Sequence, residues 1–178
     1  MTRSSVVKWI VIASAAILAL AAGSYFGVRT LQSKPAATRP ATGLLGTTLP
    51  DAEGRQQRIE QWRGKVVVIN FWATWCAPCR EEMPLFVRVQ NELGGRGLQF
   101  VGIAVDQVEK VKPFAQELGL NYPVLIGGYG AMELSRTLGN TVMALPFTVI
   151  IDRQGNIAYE QLGVVKPETL RRTLETLL

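Results

Sequence analysis

Apolar positions along the chain alternate between short unbroken runs and longer segments with helical spacing. Lys65 to Trp72 contains Val66-Val67-Val68-Ile69, β-branched and apolar without alternation, the pattern of a strand covered on both faces. Leu98 to Val105 repeats that pattern. From about Cys76 to Leu93 a helix is predicted, with Phe86, Val89 and Leu93 as its buried stripe, Pro84 as a kink, and Gly94-Gly95 as its stop. Gln107 to Leu118 reads as a helix, Tyr122 to Ile126 as a short strand and Ala131 to Leu138 as another helix. Phe147 to Ile151 and Ile157 to Leu162 bracket the turn Asp152-Arg153-Gln154-Gly155 and predict a hairpin. Pro167 and Glu168 open a last helix running to Leu178, proline being suited to the first helical position. The weakest signal is Arg55 to Ile59, one arm of a short hairpin around Asp51-Ala52-Glu53-Gly54. Strands alternating with helices, then a hairpin and a helix, predict a three-layer α/β/α sandwich around a central mixed sheet.

Ahead of this domain, Trp9 to Val28 is a run of twenty residues without a charge. A helix of that length spans about 30 Å, enough for one membrane pass. A cleaved signal peptide is the competing reading, with Arg3 and Lys8 as its basic start and Ala19-Leu20-Ala21 as its cleavage site. The retained anchor is favoured because the apolar stretch continues through Tyr25, Phe26 and Val28. Either way the domain is expected on the periplasmic or outer side of the inner membrane. Ser33 to Gly46 is rich in Pro, Ala, Thr and Gly and reads as a tether. The expected division is a basic start over 1–8, an anchor over 9–28, a flexible linker over 29–43 and one domain over 44–178.

Composition sharpens this picture. With 178 residues and 48% apolar content, the chain can bury a full core. Lys and Arg number 19 against 14 acids, but the five basic residues before position 41 face no acid, leaving 14 against 14 in the domain. An electrically balanced domain gives no reason to expect nucleic acid as a partner. The chain contains no histidine, which removes Ser-His-Asp and Cys-His nucleophiles and imidazole metal sites. With Cys76 and Cys79 as the two cysteines, no cofactor or structural metal is expected.

Cys76-Ala77-Pro78-Cys79 follows a buried strand and opens a helix, and that placement carries the chemistry. Unpaired N–H groups and the helix dipole put partial positive charge at the first turn, which favours a thiolate at Cys76. Such a thiolate opens a disulfide in another protein, and Cys79, one turn on, resolves the mixed disulfide. A static staple is the weaker reading, since closing a loop over two intervening residues removes little chain entropy.

Phe71-Trp72-Ala73-Thr74-Trp75-Cys76-Ala77-Pro78-Cys79-Arg80 resembles the active-site segment of thioredoxin-like proteins, and Leu145-Pro146-Phe147-Thr148 resembles the loop carrying their cis-proline. The anchor, the extra strand and helix between 121 and 140, and the spacing from Cys79 to Glu82 are most similar to the membrane-tethered TlpA/ResA group. This resemblance implies a thioredoxin fold with a βα insertion and an extracytoplasmic thiol-disulfide oxidoreductase. It implies Cys76 as nucleophile, Cys79 as resolving thiol, and Trp75, Ala77, Pro78, Leu145 and Pro146 as the residues that meet the client. A cis bond at Pro146 leaves neighbouring backbone groups free to pair with an extended client peptide. The implied clients are exported proteins with disulfides, such as apocytochrome c haem-site thiols or copper-site thiols. An exported dithiol also needs electrons from a DsbD- or CcdA-like membrane partner.

Two positions depart from thioredoxin proper. Asn70 stands where a buried Asp precedes the Phe-Trp-Ala segment, and it cannot take a proton from Cys79. Glu82, three residues after Cys79 on the same helical face, is the substitute base, with Glu81 its solvated neighbour. Phe147 replaces a frequent Thr and is expected to place an apolar ring near the client groove. Two other functions remain on this scaffold. One is a peroxidase of the AhpC/TSA type, disfavoured because Trp72-Ala73-Thr74-Trp75 replaces the Pro-x-x-x-Thr/Ser-x-x approach to the cysteine. The other is a module that binds unfolded clients or copper, with both cysteines and the nearby Met83 as ligands.

Overall fold

The computed structural model describes residues 39–178. Its centre is β4 (Val66–Trp72), in which every residue is buried. Alternate side chains of a strand point to opposite faces, so an unbroken apolar run requires cover on both sides. β4 pairs in parallel with β5 (Leu98–Ala104), which pairs in parallel with β6 (Val124–Ile126). On the other side β7 (Phe147–Ile151) runs antiparallel to β4, followed by β8 (Asn156–Leu162) and the two-residue β1 (Arg39–Pro40). The six-stranded sheet therefore has the order β1-β8-β7-β4-β5-β6.

Val66, Val68 and Phe100 meet α2 (Ala77–Leu93) and α5 (Pro167–Leu177) through Phe86, Val89, Leu170 and Leu174. Further along that face, Trp72, Ala104 and Val124 pack with Met83 of α2 and Val111 of α3 (Val108–Glu117). The opposite face, built on Val67, Ile69 and Phe71, is covered by α1 (Thr42–Leu45), the 3-10 turn Ile59–Trp62 and α4 (Gly130–Thr137). Each fully buried aliphatic or Phe side chain contributes roughly 1.5–3 kcal/mol relative to exposure. Helices thus lie on both faces of a mixed sheet, as the strand–helix alternation predicts. β6 and α4 form the expected βα insertion.

One local feature differs from expectation. Residues 39–43, read as part of the linker, belong to the folded unit: Arg39 pairs with Ile157, and Ala41 is buried with Leu44 and Leu45. A two-residue strand and a one-turn helix are too short to show periodicity, so their Pro, Ala and Thr composition reads as a tether. α2 ends at Leu93 with Gly94 as its C-cap, where Gly94-Gly95 predict its stop. The chain then passes through a 3-10 turn over Gly94–Arg96 and reverses at Gly97, whose φ of 97° is accessible to glycine without strain. Pro84 lies inside α2, which continues as helix on both sides of it. The hairpin of β2 (Thr48–Pro50) and β3 (Gln56–Arg58) forms as expected. Asp51 fixes its turn by accepting from the backbone N–H groups of Glu53 and Arg55 and from the side chains of Arg55 and Gln57.

Residues 1–38, which include the expected anchor Trp9–Val28, lie outside the described residues. Among the described residues no helix is long and apolar enough to cross a membrane.

Gly102 of β5 lies opposite Asn70 and against the indole of Trp72, where an added Cβ would sit 2.8 Å from Nε1. Trp72 is wedged in the sheet and cannot swing aside. Gly102→Ala is therefore expected to lower stability by about 1–3 kcal/mol, read as a fall in the urea midpoint at unchanged slope.

Candidate active site

β4 delivers the chain to the start of α2, and Cys76 occupies the N-cap position in extended conformation. Its Sγ accepts the backbone N–H of Cys79 at 3.3 Å. No acidic residue lies in the first turn, so nothing offsets the positive end of the helix beside that sulfur. The two sulfurs are joined in a disulfide, with Cα atoms 5.3 Å apart. Cys76 retains 5% exposure and Cys79 none, so an incoming disulfide reaches Cys76 and not its partner. Burial thus makes Cys76 the accessible sulfur and Cys79 the enclosed one.

Trp75, with 65% of its surface exposed, stands beside the disulfide, and Ala77 and Pro78 are also exposed. The turn carrying Trp75 is held by Asp106, whose carboxylate accepts both the backbone N–H and the hydroxyl of Thr74. Burial pushes the Asp106 carboxyl up. Hydrogen bonds from Thr74 and the Gln107 N–H, with Lys110 nearby, outweigh burial and hold it below the ordinary aspartate range. Asp106 was not singled out by sequence reasoning, although an acid between a buried strand and a helix is a detectable signal. Trp75, Asp106 and Lys110 also line a cleft of about 250 Å³ with Tyr129, which is 88% exposed.

The second wall is the Leu145–Pro146 loop, whose peptide bond is cis. Leu145 is half-buried and packs against the cluster containing both cysteines. Pro146 accepts the backbone N–H of Gly163 at 2.8 Å. Between those contacts the N–H and C=O of Leu145 have no partner among the described residues. Phe147 corrects the expectation made for it. It is 2% exposed and its ring lies 6.0 Å from that of Phe71, in the core on the α4 face of the sheet and not in the client groove. A position one residue into a strand alternates away from the loop, which the linear motif does not show.

Glu82 is buried at 3% exposure on α2. One oxygen accepts the Asn70 side-chain amide at 2.9 Å and the other the Val165 backbone N–H at 3.1 Å. Burial raises its pKa to about 7, despite the opposing effect of both hydrogen bonds. The exposed carboxylate of this pair is Glu81, as expected. Asn70 also donates to the Thr148 hydroxyl at 3.1 Å. The residue that replaces an acid thus holds the acid supplied by the helix. The Tyr122 hydroxyl is buried close enough to feel the charge of Glu82, and burial and that charge together push its pKa up. Sequence reasoning missed Tyr122, since a lone aromatic at a strand start reads as core.

Met83 is fully buried in the same cluster as both cysteines, but its packing against Trp72, Ala104 and Val111 uses it as core. Among the described residues no group of three or more Cys, Asp or Glu side chains is placed to hold a metal ion.

A reachable sulfur at a helix start, a buried partner one turn on and a carboxyl that titrates near neutrality define a thioredoxin-like thiol-disulfide oxidoreductase. The chain belongs to the Redoxin family, whose model matches residues 32–178. It is similar to the thiol-disulfide oxidoreductase ResA of Geobacillus thermodenitrificans, with 30% identity over 146 residues, covering 79% of this chain and 82% of that one. ResA of Bacillus thuringiensis subsp. konkukian is 31% identical over 152 residues, covering 85% of this chain and 84% of the relative. Among solved structures, a thioredoxin-family thiol:disulfide interchange protein from Chlorobium tepidum superposes with a TM-score of 0.70 at 29% identity, covering 81% of this chain and 99% of that one. The ResA-type reading of the motifs is thereby supported by sequence and by fold.

Proposed function

We propose that this oxidoreductase works in the reductive direction, on disulfides of exported proteins. The observation that carries the exchange chemistry is Glu82, buried on the same helix as the inaccessible Cys79, and the reductive direction is what the resemblance to the TlpA/ResA group implies. In the reductive direction the Cys76 thiolate attacks a client disulfide. One client sulfur leaves as thiolate and the other joins Cys76 in a mixed disulfide. Cys79 then loses its proton and attacks Cys76 Sγ, which releases the second client thiolate and leaves the Cys76–Cys79 disulfide. Two electrons have passed from the dithiol to the client. That second step needs a base at a thiol that solvent does not reach, and Glu82 is built as one. In the oxidising direction the same step runs in reverse: a client thiolate displaces Cys79 from Cys76 Sγ, and protonated Glu82 supplies the proton to the buried leaving thiolate, so the direction is set by the potentials of the two couples.

Trp9–Val28 would tether the domain on the outer side of the membrane, where a DsbD- or CcdA-like partner restores the dithiol. Haem-site thiols of apocytochrome c and copper-site thiols are the client classes proposed. A client segment would lie between Trp75 and Leu145, pairing with the free backbone groups of Leu145 as an added strand.

The deciding measurement is the reduction potential of the Cys76–Cys79 couple in the full chain, equilibrated against glutathione or dithiothreitol. A value near the roughly −270 mV of thioredoxin is expected, whereas one near the roughly −120 mV of DsbA would reverse the direction.

A further inference from the structure

Asn140 lies between α4 and the cis-proline loop, buried at 1% exposure and outside every motif identified from sequence. Its side-chain amide pairs with both backbone groups of Ala144, donating to the C=O at 2.8 Å and accepting the N–H at 3.1 Å. The same Nδ2 group donates to the Ser135 hydroxyl of α4 at 3.0 Å, and that hydroxyl donates to the Met132 C=O at 2.7 Å. The amide therefore occupies Ala144 as a neighbouring strand would, and is itself anchored to the insertion helix. The Asn140 C=O accepts the N–H of Met143, a non-glycine residue held at a φ of 53°. A left-handed residue of this kind persists where its surroundings impose it.

Leu145 bends the chain into the cis peptide directly after the clamped Ala144. Its N–H and C=O have no partner among the described residues, while its side chain packs against the cysteine cluster. We propose that Asn140 is a positioning residue that pre-forms the Leu145 edge for pairing with an extended client. The inference rests on the client-pairing reading above and adds the element that builds that edge, the βα insertion acting through Asn140. Without the amide clamp the 140–145 loop would have to be ordered on each encounter, which weakens client binding and leaves the sulfur chemistry untouched. A small disulfide needs no strand and is indifferent to the loop.

The test compares the full-length protein with Asn140→Ala, using dithiothreitol as electron source and either insulin or hydroxyethyl disulfide as substrate. The expected result is a rise of about tenfold in KM for insulin at nearly unchanged kcat, with hydroxyethyl disulfide turnover and the potential of the couple unaltered. Asn140→Asp keeps the acceptor for Ala144 N–H and loses both donors, so its KM should lie between the two. Ser135→Ala loosens the anchor alone and gives the same readout if Asn140→Ala does not fold. Equal losses on both substrates, or an unchanged KM for insulin, would overturn the inference. Wild-type protein that reduced hydroxyethyl disulfide but never insulin would overturn the client reading and this inference together.

Discussion

Cys76→Ser is expected to abolish disulfide exchange with every substrate, leaving the uncatalysed rate. A serine hydroxyl is not ionised near neutral pH, and oxygen cannot form the mixed disulfide through which the electrons pass. Cys79, fully buried, cannot substitute. Insulin reduction followed by turbidity reads the loss directly, and residual turnover at wild-type speed would remove the basis of the mechanism. Cys79→Ser makes the complementary prediction. Attack by Cys76 still occurs, but the mixed disulfide has no internal thiol to resolve it and should accumulate as a covalent complex on non-reducing gels. The fold should survive both changes. The bond closes over two intervening residues, so its loss returns little entropy to the unfolded chain.

Glu82→Gln carries the second large effect, on rate and on stability. As base, Glu82 acts when ionised, so resolution by wild-type Cys79 should accelerate as pH rises through about 7. The variant should lose that rise and run about 10²-fold slower above it. Mixing reduced protein with a client disulfide at several pH values, and following decay of the mixed disulfide, measures this. A parallel profile in both proteins would exclude Glu82 as the base. The stability effect has the opposite sense. Glu82 goes from an ordinary 4.5 when unfolded to about 7 when folded, so the native state binds the extra proton between those values. Its favourable contribution is complete below about pH 4.5 and disappears as pH climbs through 7. Above that, an ionised carboxylate remains in the core at a penalty on the order of 3 kcal/mol. Glutamine is neutral throughout but has one acceptor for two donors, Asn70 Nδ2 and Val165 N–H. The variant is therefore expected to be less stable than wild type at pH 5 and to gain on it by about 3 kcal/mol at pH 8.5 in urea titrations.

How much of this could be read from the chain follows from the range of each interaction. The strand Val66–Trp72, the helix after Cys76 and the Phe147–Leu162 hairpin are local patterns repeated over several residues, and they lie within a residue or two of their expected bounds. Cys76 and Cys79 were legible because spacing and the strand-to-helix junction are both local. The place of residues 39–43 in the fold was not, because it comes from pairing with β8, more than a hundred residues away, and from the burial of Ala41. Phe147 was misplaced because a side chain's face depends on register. Tyr122 and Asn140 give no motif at all, since each acts through a partner set by the fold, and Asp106 offers only its place between a buried strand and a helix.

The order of residues alone determined the chemistry available to this protein: two thiols one helical turn apart, a helix start to favour a thiolate, a nearby glutamate, and no histidine to offer an alternative. Those are properties of composition and short spacing, which survive in any conformation that keeps the helix. Tertiary structure decided which sulfur is reachable, that the glutamate is buried between Asn70 and Val165, and which edge of Leu145 is left open. Exposure and hydrogen-bond partnership depend on segments distant in sequence, because desolvation shifts a carboxyl only when the whole sheet and its helices close over it.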